Sequence, residues 1–255
     1  MMNRMLFKTI VALSLSLLAI IGTTPPTSAN DRDLVDRLIE VFPSLEDVPE
    51  EEILSDFKNQ AEEAGLPPDR FLAQIIEATR LNDEAMRRAS GERDSKDPNR
   101  IETRAAYPKL PDSYYKGDIY ISPSVHVIDH GHTGIYGDTY WVVEASGPGT
   151  LSNWHYTNEI AGPSGTKLFE TTLSQHAQNL AADYAYTSLR GYPYPTIPTS
   201  TRNLHPNTLT CSQLVWLAYL RTTGVDLDGS ESIPGFIFPY DIEKSPYTKK
   251  NWEVR

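Results

Sequence analysis

The chain has 255 residues, 39% of them hydrophobic, a formal net charge of −11 and one cysteine, Cys211. A lone cysteine excludes an intrachain disulfide framework, and 34 acidic against 23 basic side chains with no basic stripe exclude nucleic acid as a natural partner. The length allows one large domain, or one domain with an appendage.

At the start, Arg4 and Lys8 accompany the apolar run "TIVALSLSLLAIIG", and the small residues Thr27, Ser28 and Ala29 suit a signal peptidase. The expectation is a signal peptide over residues 1–29 and a secreted or extracytoplasmic mature chain from Asn30, in the cell envelope or outside the cell. No retained membrane anchor is expected. The run is short for a spanning helix and Pro25-Pro26 closes it.

Residues 30–88 read as a helical appendage, suited to act as a cap or pro-segment. Leu34, Leu38 and Phe42 recur at helical spacing, as do Ile53, Leu54, Phe57 and Ala61, then Phe71, Leu72, Ile75 and Ile76. "GLPPDRF" reads as a stop followed by a new start, with Pro in the first turn and Asp69 at the positive end of the dipole. The polar stretch "RASGERDSKDPNRIETR" then predicts a linker over 89–105.

The remainder, 106–255, has a different texture. "GDIYIS", "TGIYGD" and "YWVVEA" are strand-like. A helix is expected from Phe169 to Leu189, with Phe169, Leu173, Leu180 and Tyr184 on one face and Gly191 as its cap. A proline-rich loop, "GYPYPTIPTSTRNLHPN", leads to "TLTCSQLVWLAYL", and "GFIFPYDI" reads as one more short strand.

Cys211, Leu214, Val215 and Ala218 follow an i, i+3, i+4, i+7 pattern, so the sulfur fits a core position. Thr208, Thr210 and Ser212 are also natural capping residues, which puts Cys211 in or beside the first turn. Unsatisfied amides and the helix dipole there stabilise a thiolate, the nucleophilic form of the thiol. A thiol nucleophile needs a base, and the base benefits from an orienting partner. In "HVIDHGHTGIYGDTYWVVEA", a hairpin looped around Asp138 pairs His132 directly with Glu144. One face then carries His132, Gly134, Val142 and Glu144, and the other carries Ile135, Trp141 and Val143.

"GDIYIS", "GHTGIY", "VVEA", "GYPY", "TCSQLVWLAY" and "FPYDI" together resemble the circularly permuted papain-like enzymes of the NlpC/P60 superfamily. The YaeF/YiiX branch is the nearer likeness and the lecithin:retinol acyltransferase-like proteins the more distant one. The resemblance covers roughly residues 115–245 and agrees with the order His132, Glu144, Cys211. Gln213, where this branch more often has glutamate, departs from it. The resemblance implies an α+β fold, with an antiparallel sheet against the nucleophile helix and the N-terminal helical segment added. It implies a thiol-dependent hydrolase, amidase or peptidase in type, or an acyltransferase, in which Cys211 attacks an amide or ester. His132 moves the proton, Glu144 orients His132, the Cys211 N–H serves the oxyanion, and Tyr194 touches substrate. The substrate would be a peptide, peptidoglycan, or acyl-amide or lipid, and no cofactor is implied.

Two other readings compete. His126, His130 and His132 form an H-x3-H-x-H cluster that, with Glu144 or His155, fits zinc or iron and a metal-dependent hydrolase. A secreted binding module that kept the fold without turnover is the other. His155 and His205 fall in expected loops, His176 reads as structural on its helix, and "DLDGSES" reads as a turn.

Overall fold

The computed structural model describes residues 29–89, 107–123, 131–229 and 235–254, the side chains of 29 and 82–89 excepted. The expected signal peptide, apart from Ala29, and the expected linker, apart from Ala89, lie outside these residues. Helices α1 (Ala29–Val41), α2 (Glu50–Glu63) and α3 (Pro68–Ala89) come first, with a 3-10 turn at Pro43–Leu45. Three acidic residues, Glu50, Glu51 and Glu52, fill the first turn of α2, where they complement the dipole. The apolar stripes of these helices form one core from Leu38, Phe42, Ile53, Phe57, Phe71 and Ile75, and that core also takes in Ile197, Phe236 and Phe238 from far along the chain. Phe71 stacks on Phe236 with ring centroids 6.0 Å apart.

The second part is a six-stranded, wholly antiparallel sheet in the order β4-β3-β2-β1-β5-β6. Its strands are β1 (Ile119–Ser122), β2 (His132–Asp138), β3 (Trp141–Glu144), β4 (Asn153–Tyr156), β5 (Lys167–Thr171) and β6 (Thr248–Glu253). Ile119, Ile121, Ile135, Val143 and Phe169 point to one face, where α4 (Gln175–Ser188) and α5 (Cys211–Thr223) pack. Tyr120, Tyr136, Val142 and Leu168 point to the other, covered by Leu110 and Ile160. A short helix, α6 (Pro239–Glu243), packs beside α5. The fold is α+β, an antiparallel sheet with helices on one face.

The structure corrects three expectations. The helix expected from Phe169 begins only at Gln175, because Phe169 belongs to β5 between β1 and β6. Its buried face is Gln178, Ala181, Ala182 and Ala185, while Leu180 is exposed. Small residues let α4 approach the sheet closely, a signal that counting large apolar residues overlooks. The expected strand in "GFIFPYDI" is an isolated bridge between Phe236 and Thr201 followed by α6, whose proline sits at the first turn. Strands β4, β5 and β6, with polar and charged residues at many positions, gave no legible alternation.

Candidate active site

Residues 211–219 of α5 are all buried, enclosed by β2, β3, α4 and α6, which is why "LVWLAYL" is apolar all round. Thr210 is the N-cap, and its hydroxyl accepts from Gln213 N at 3.4 Å. The cap is held by a small hydroxyl network. Ser200 Oγ and Thr210 Oγ1 lie 2.5 Å apart, and Ser212 Oγ donates to Ser200 Oγ and to Ile237 O, both at 2.8 Å. Gly224, in the left-handed region at φ 72°, ends the helix. Cys211, 5% exposed, therefore sits at the positive end of a rigid buried helix.

The hairpin that carries His132 and Glu144 differs in detail from the expected one. Its loop is the pair Thr139-Tyr140, not a turn centred on Asp138, and Asp138 pairs with Trp141 while Tyr136 pairs with Val142. Gly137 is the extra residue, a β-bulge. A Cβ on Gly137 would lie 1.9 Å from the Trp141 ring, so only glycine fits there. Loop and bulge together move the register two positions from the expected pairing, so His132 and Glu144 are diagonal neighbours on one face. His132 Nε2 lies 3.0 Å from Glu144 Oε2.

Sequence reading missed Tyr120 and Ser146. Tyr120 pairs with Gly134 on β1, and its hydroxyl donates to Glu144 Oε2 across that glycine. A Cβ on Gly134 would lie 2.7 Å from the Tyr120 ring and 3.2 Å from Glu144 Cβ. Ser146 Oγ donates to Glu144 Oε1 at 2.8 Å. The legible signal for Tyr120 was a large polar-tipped residue in β1 at a position where β2 offers only glycine.

Burial alone would raise the Glu144 carboxyl, but the His132 charge and the hydrogen bonds from His132, Tyr120 and Ser146 hold it well below the usual carboxylate range. Burial alone would lower His132. The Glu144 charge, together with hydrogen bonding and charge interaction with Cys211, overrides burial and holds the imidazole well above its usual value. Nε2 lies against Glu144, and the same imidazole also interacts with the Cys211 sulfur. Tyr194 joins the group from the proline-rich loop. Burial, and then the charge of Cys211 and a hydrogen bond to it, push its hydroxyl well above the usual value, so it stays protonated beside the sulfur.

The structure thus brings Cys211, His132, Glu144 and Tyr194 together. His126 and His130 lie outside the described residues. His155 is half-buried in β4 and not in a loop, paired with Val142, and His176 is exposed on α4 and not structural. His205 is exposed, with Nδ1 3.5 Å from Arg221. Among the described residues, no three or more His, Cys, Asp or Glu side chains are grouped to hold a metal ion. Asp226 and Asp228 of "DLDGSES" both pair with Arg202.

Fold and site define an α+β protein with a cysteine at the start of a buried helix and a histidine–carboxylate pair on adjacent strands. No protein-family model matches the chain. Over 143 residues, 55% of this chain, it is 32% identical to the uncharacterized protein YycO of Bacillus subtilis (strain 168), and it spans 56% of that protein's length. Among solved structures it is similar to the metalloprotein YiiX of Escherichia coli O157:H7, with 17% identity and a TM-score of 0.42 over 56% of this chain and 98% of that one.

Proposed function

We propose that the chain is a thiol-dependent hydrolase of the circularly permuted papain-like kind, cleaving an amide or ester through Cys211, His132 and Glu144. One observation carries the reading: the sulfur, the imidazole and a buried carboxylate interact in series at the start of a helix. Core cysteines need no such company.

In this reading the Cys211 sulfur adds to the substrate carbonyl carbon while His132 holds the proton. The Cys211 N–H, in the first turn of α5 where amides lack intrahelical partners, donates to the developing oxyanion. His132 passes its proton to the leaving amine or alcohol, and the C–N or C–O bond breaks to leave a thioester. A water molecule, deprotonated by His132, then releases the acid and restores the thiol. Replacing that water with an alcohol or amine gives acyl transfer. Glu144, fixed by Tyr120 and Ser146, keeps the imidazole turned toward the sulfur. Tyr194 supplies a hydroxyl at the carbonyl's approach. Peptides, peptidoglycan and acyl-amide lipids are the proposed substrates, met in the cell envelope or outside the cell.

Screening the protein against peptidoglycan fragments, peptides and acyl-amide lipids, with Cys211→Ala as control, tests the reading. Turnover lost in Cys211→Ala and reduced by orders of magnitude in His132→Ala supports it. Turnover that survives Cys211→Ala sinks it.

A further inference from the structure

Residues 196–199, "TIPT", lie along α2 much as a bound peptide would. Glu52, Asp56 and Gln60, at i, i+4 and i+8 on one face of α2, each take a polar group from this stretch. Thr196 Oγ1 donates to Glu52 Oε1 at 3.0 Å. Asp56 Oδ2 accepts from Ile197 N at 2.7 Å, and Gln60 Nε2 donates to Ile197 O at 3.0 Å and to Asp56 Oδ2 at 2.8 Å. Gln60 Oε1 accepts from Thr199 Oγ1. The side chain of Ile197, 0% exposed, is packed into the helical core. Both polar groups of the Ile197 peptide backbone are thus read by side chains of α2, and Pro195 and Pro198 stiffen the chain on either side.

This stretch is tied to the candidate site at both ends. Three residues before Ile197, Tyr194 interacts with the Cys211 sulfur. Three residues after it, Ser200 holds the Thr210 cap at 2.5 Å and accepts from Ser212. Displacing Ile197 from α2 therefore moves a group that touches the sulfur and a group that fixes the start of its helix.

We propose that α1–α3 act as a brace for the nucleophile, with Asp56 and Gln60 as positioning residues that fix residues 194–200, and not as a removable cap. The proposal rests on reading Cys211 as the nucleophile. The brace acts through the loop and touches no substrate.

The test measures the rate of Cys211 alkylation by iodoacetamide across the pH range, with the thermal midpoint alongside, on the chain carrying both parts. Gln60→Met keeps the side-chain volume but removes its hydrogen bonds, and Thr199→Val does the same from the loop side with a milder effect on folding. Val35→Ala, a core change in α1, which packs on α2, is the control for general destabilisation. The brace predicts alkylation slowed about five- to tenfold in Gln60→Met, the loss set by about one buried hydrogen bond, with a displaced pH profile. Thr199→Val shifts the same way, and Val35→Ala keeps the wild-type rate despite a lower midpoint. Wild-type rates in both Gln60→Met and Thr199→Val overturn the brace, and so does acceleration, which would mark the helices as a shield. Equal slowing in Val35→Ala overturns it as well. If instead the wild-type thiol is inert and His132→Ala changes nothing, the nucleophile reading falls first and the brace with it.

Discussion

His132 and Glu144 meet diagonally across the β2–β3 hairpin, Nε2 3.0 Å from Oε2, and one extra residue on β2 makes the meeting possible. A two-residue loop alone would set them on opposite faces, because side chains alternate along a strand. The bulge at Gly137 adds the one-residue offset that returns them to the same face. The Trp141 ring over Gly137 leaves no room for any other residue.

Gly137→Ala should therefore cost about 1–3 kcal/mol, the usual range for overpacking a filled site. The loss is read from a urea midpoint. Cys211 alkylation should slow in the same variant, since relieving the clash with Trp141 disturbs the bulge. A variant of unchanged stability would mean that the indole moves aside freely.

Tyr120→Phe removes a buried hydrogen bond to a carboxylate and should destabilise the protein by about 1.5–3 kcal/mol. Glu144 then keeps His132 and Ser146 as partners. The expected signature is a fall in turnover at nearly constant KM, because Tyr120 acts on the orientation of the pair and not on substrate. A change confined to KM would place Tyr120 in the binding pocket instead.

Stability should depend on pH through this pair. Glu144 is lowered from 4.5 to about 2, so its contribution is present above 4.5 and lost as pH falls through about 2. His132 is raised from 6.5 to about 10, so its contribution is present below 6.5 and lost as pH rises through about 10. The difference in thermal midpoint between wild type and Glu144→Gln should be greatest between the two unperturbed values and shrink toward both extremes. A difference that is flat in pH would show that the two groups are not coupled.

Chelators should leave turnover intact, and Cys211 should alkylate faster than a free thiol at neutral pH in a way that depends on His132. Activity lost to chelators and restored by zinc or iron, with Cys211→Ser nearly harmless, would reassign His126, His130 and His132 as ligands. The two patterns are mutually exclusive in a single experiment.

A chain beginning at Ala105 should be poorly folded. Ile197 and Phe236 are now 0% and 1% exposed, and they would lose the partners that bury them, at about 1.5–3 kcal/mol for each side chain. Soluble, cooperatively unfolding protein from such a chain would show that the helices are an accessory.

The sequence by itself determined the local features: three amphipathic helices, strands β1 to β3 and the capped start of α5. Each follows from a periodicity or a capping preference that acts within a few residues. Tertiary structure decided the rest, because it depends on contacts between distant segments. Phe169 is a strand residue because β1 and β6 flank it, although its spacing also suits a helix. The hairpin register depends on where the Trp141 ring lies, and Tyr120 reaches Glu144 only because a glycine stands between them. Sequence spacing could propose that the N-terminal helices were an appendage. Only the fold carries Asp56 to Ile197, 141 residues away, and ties those helices to the loop beside Cys211.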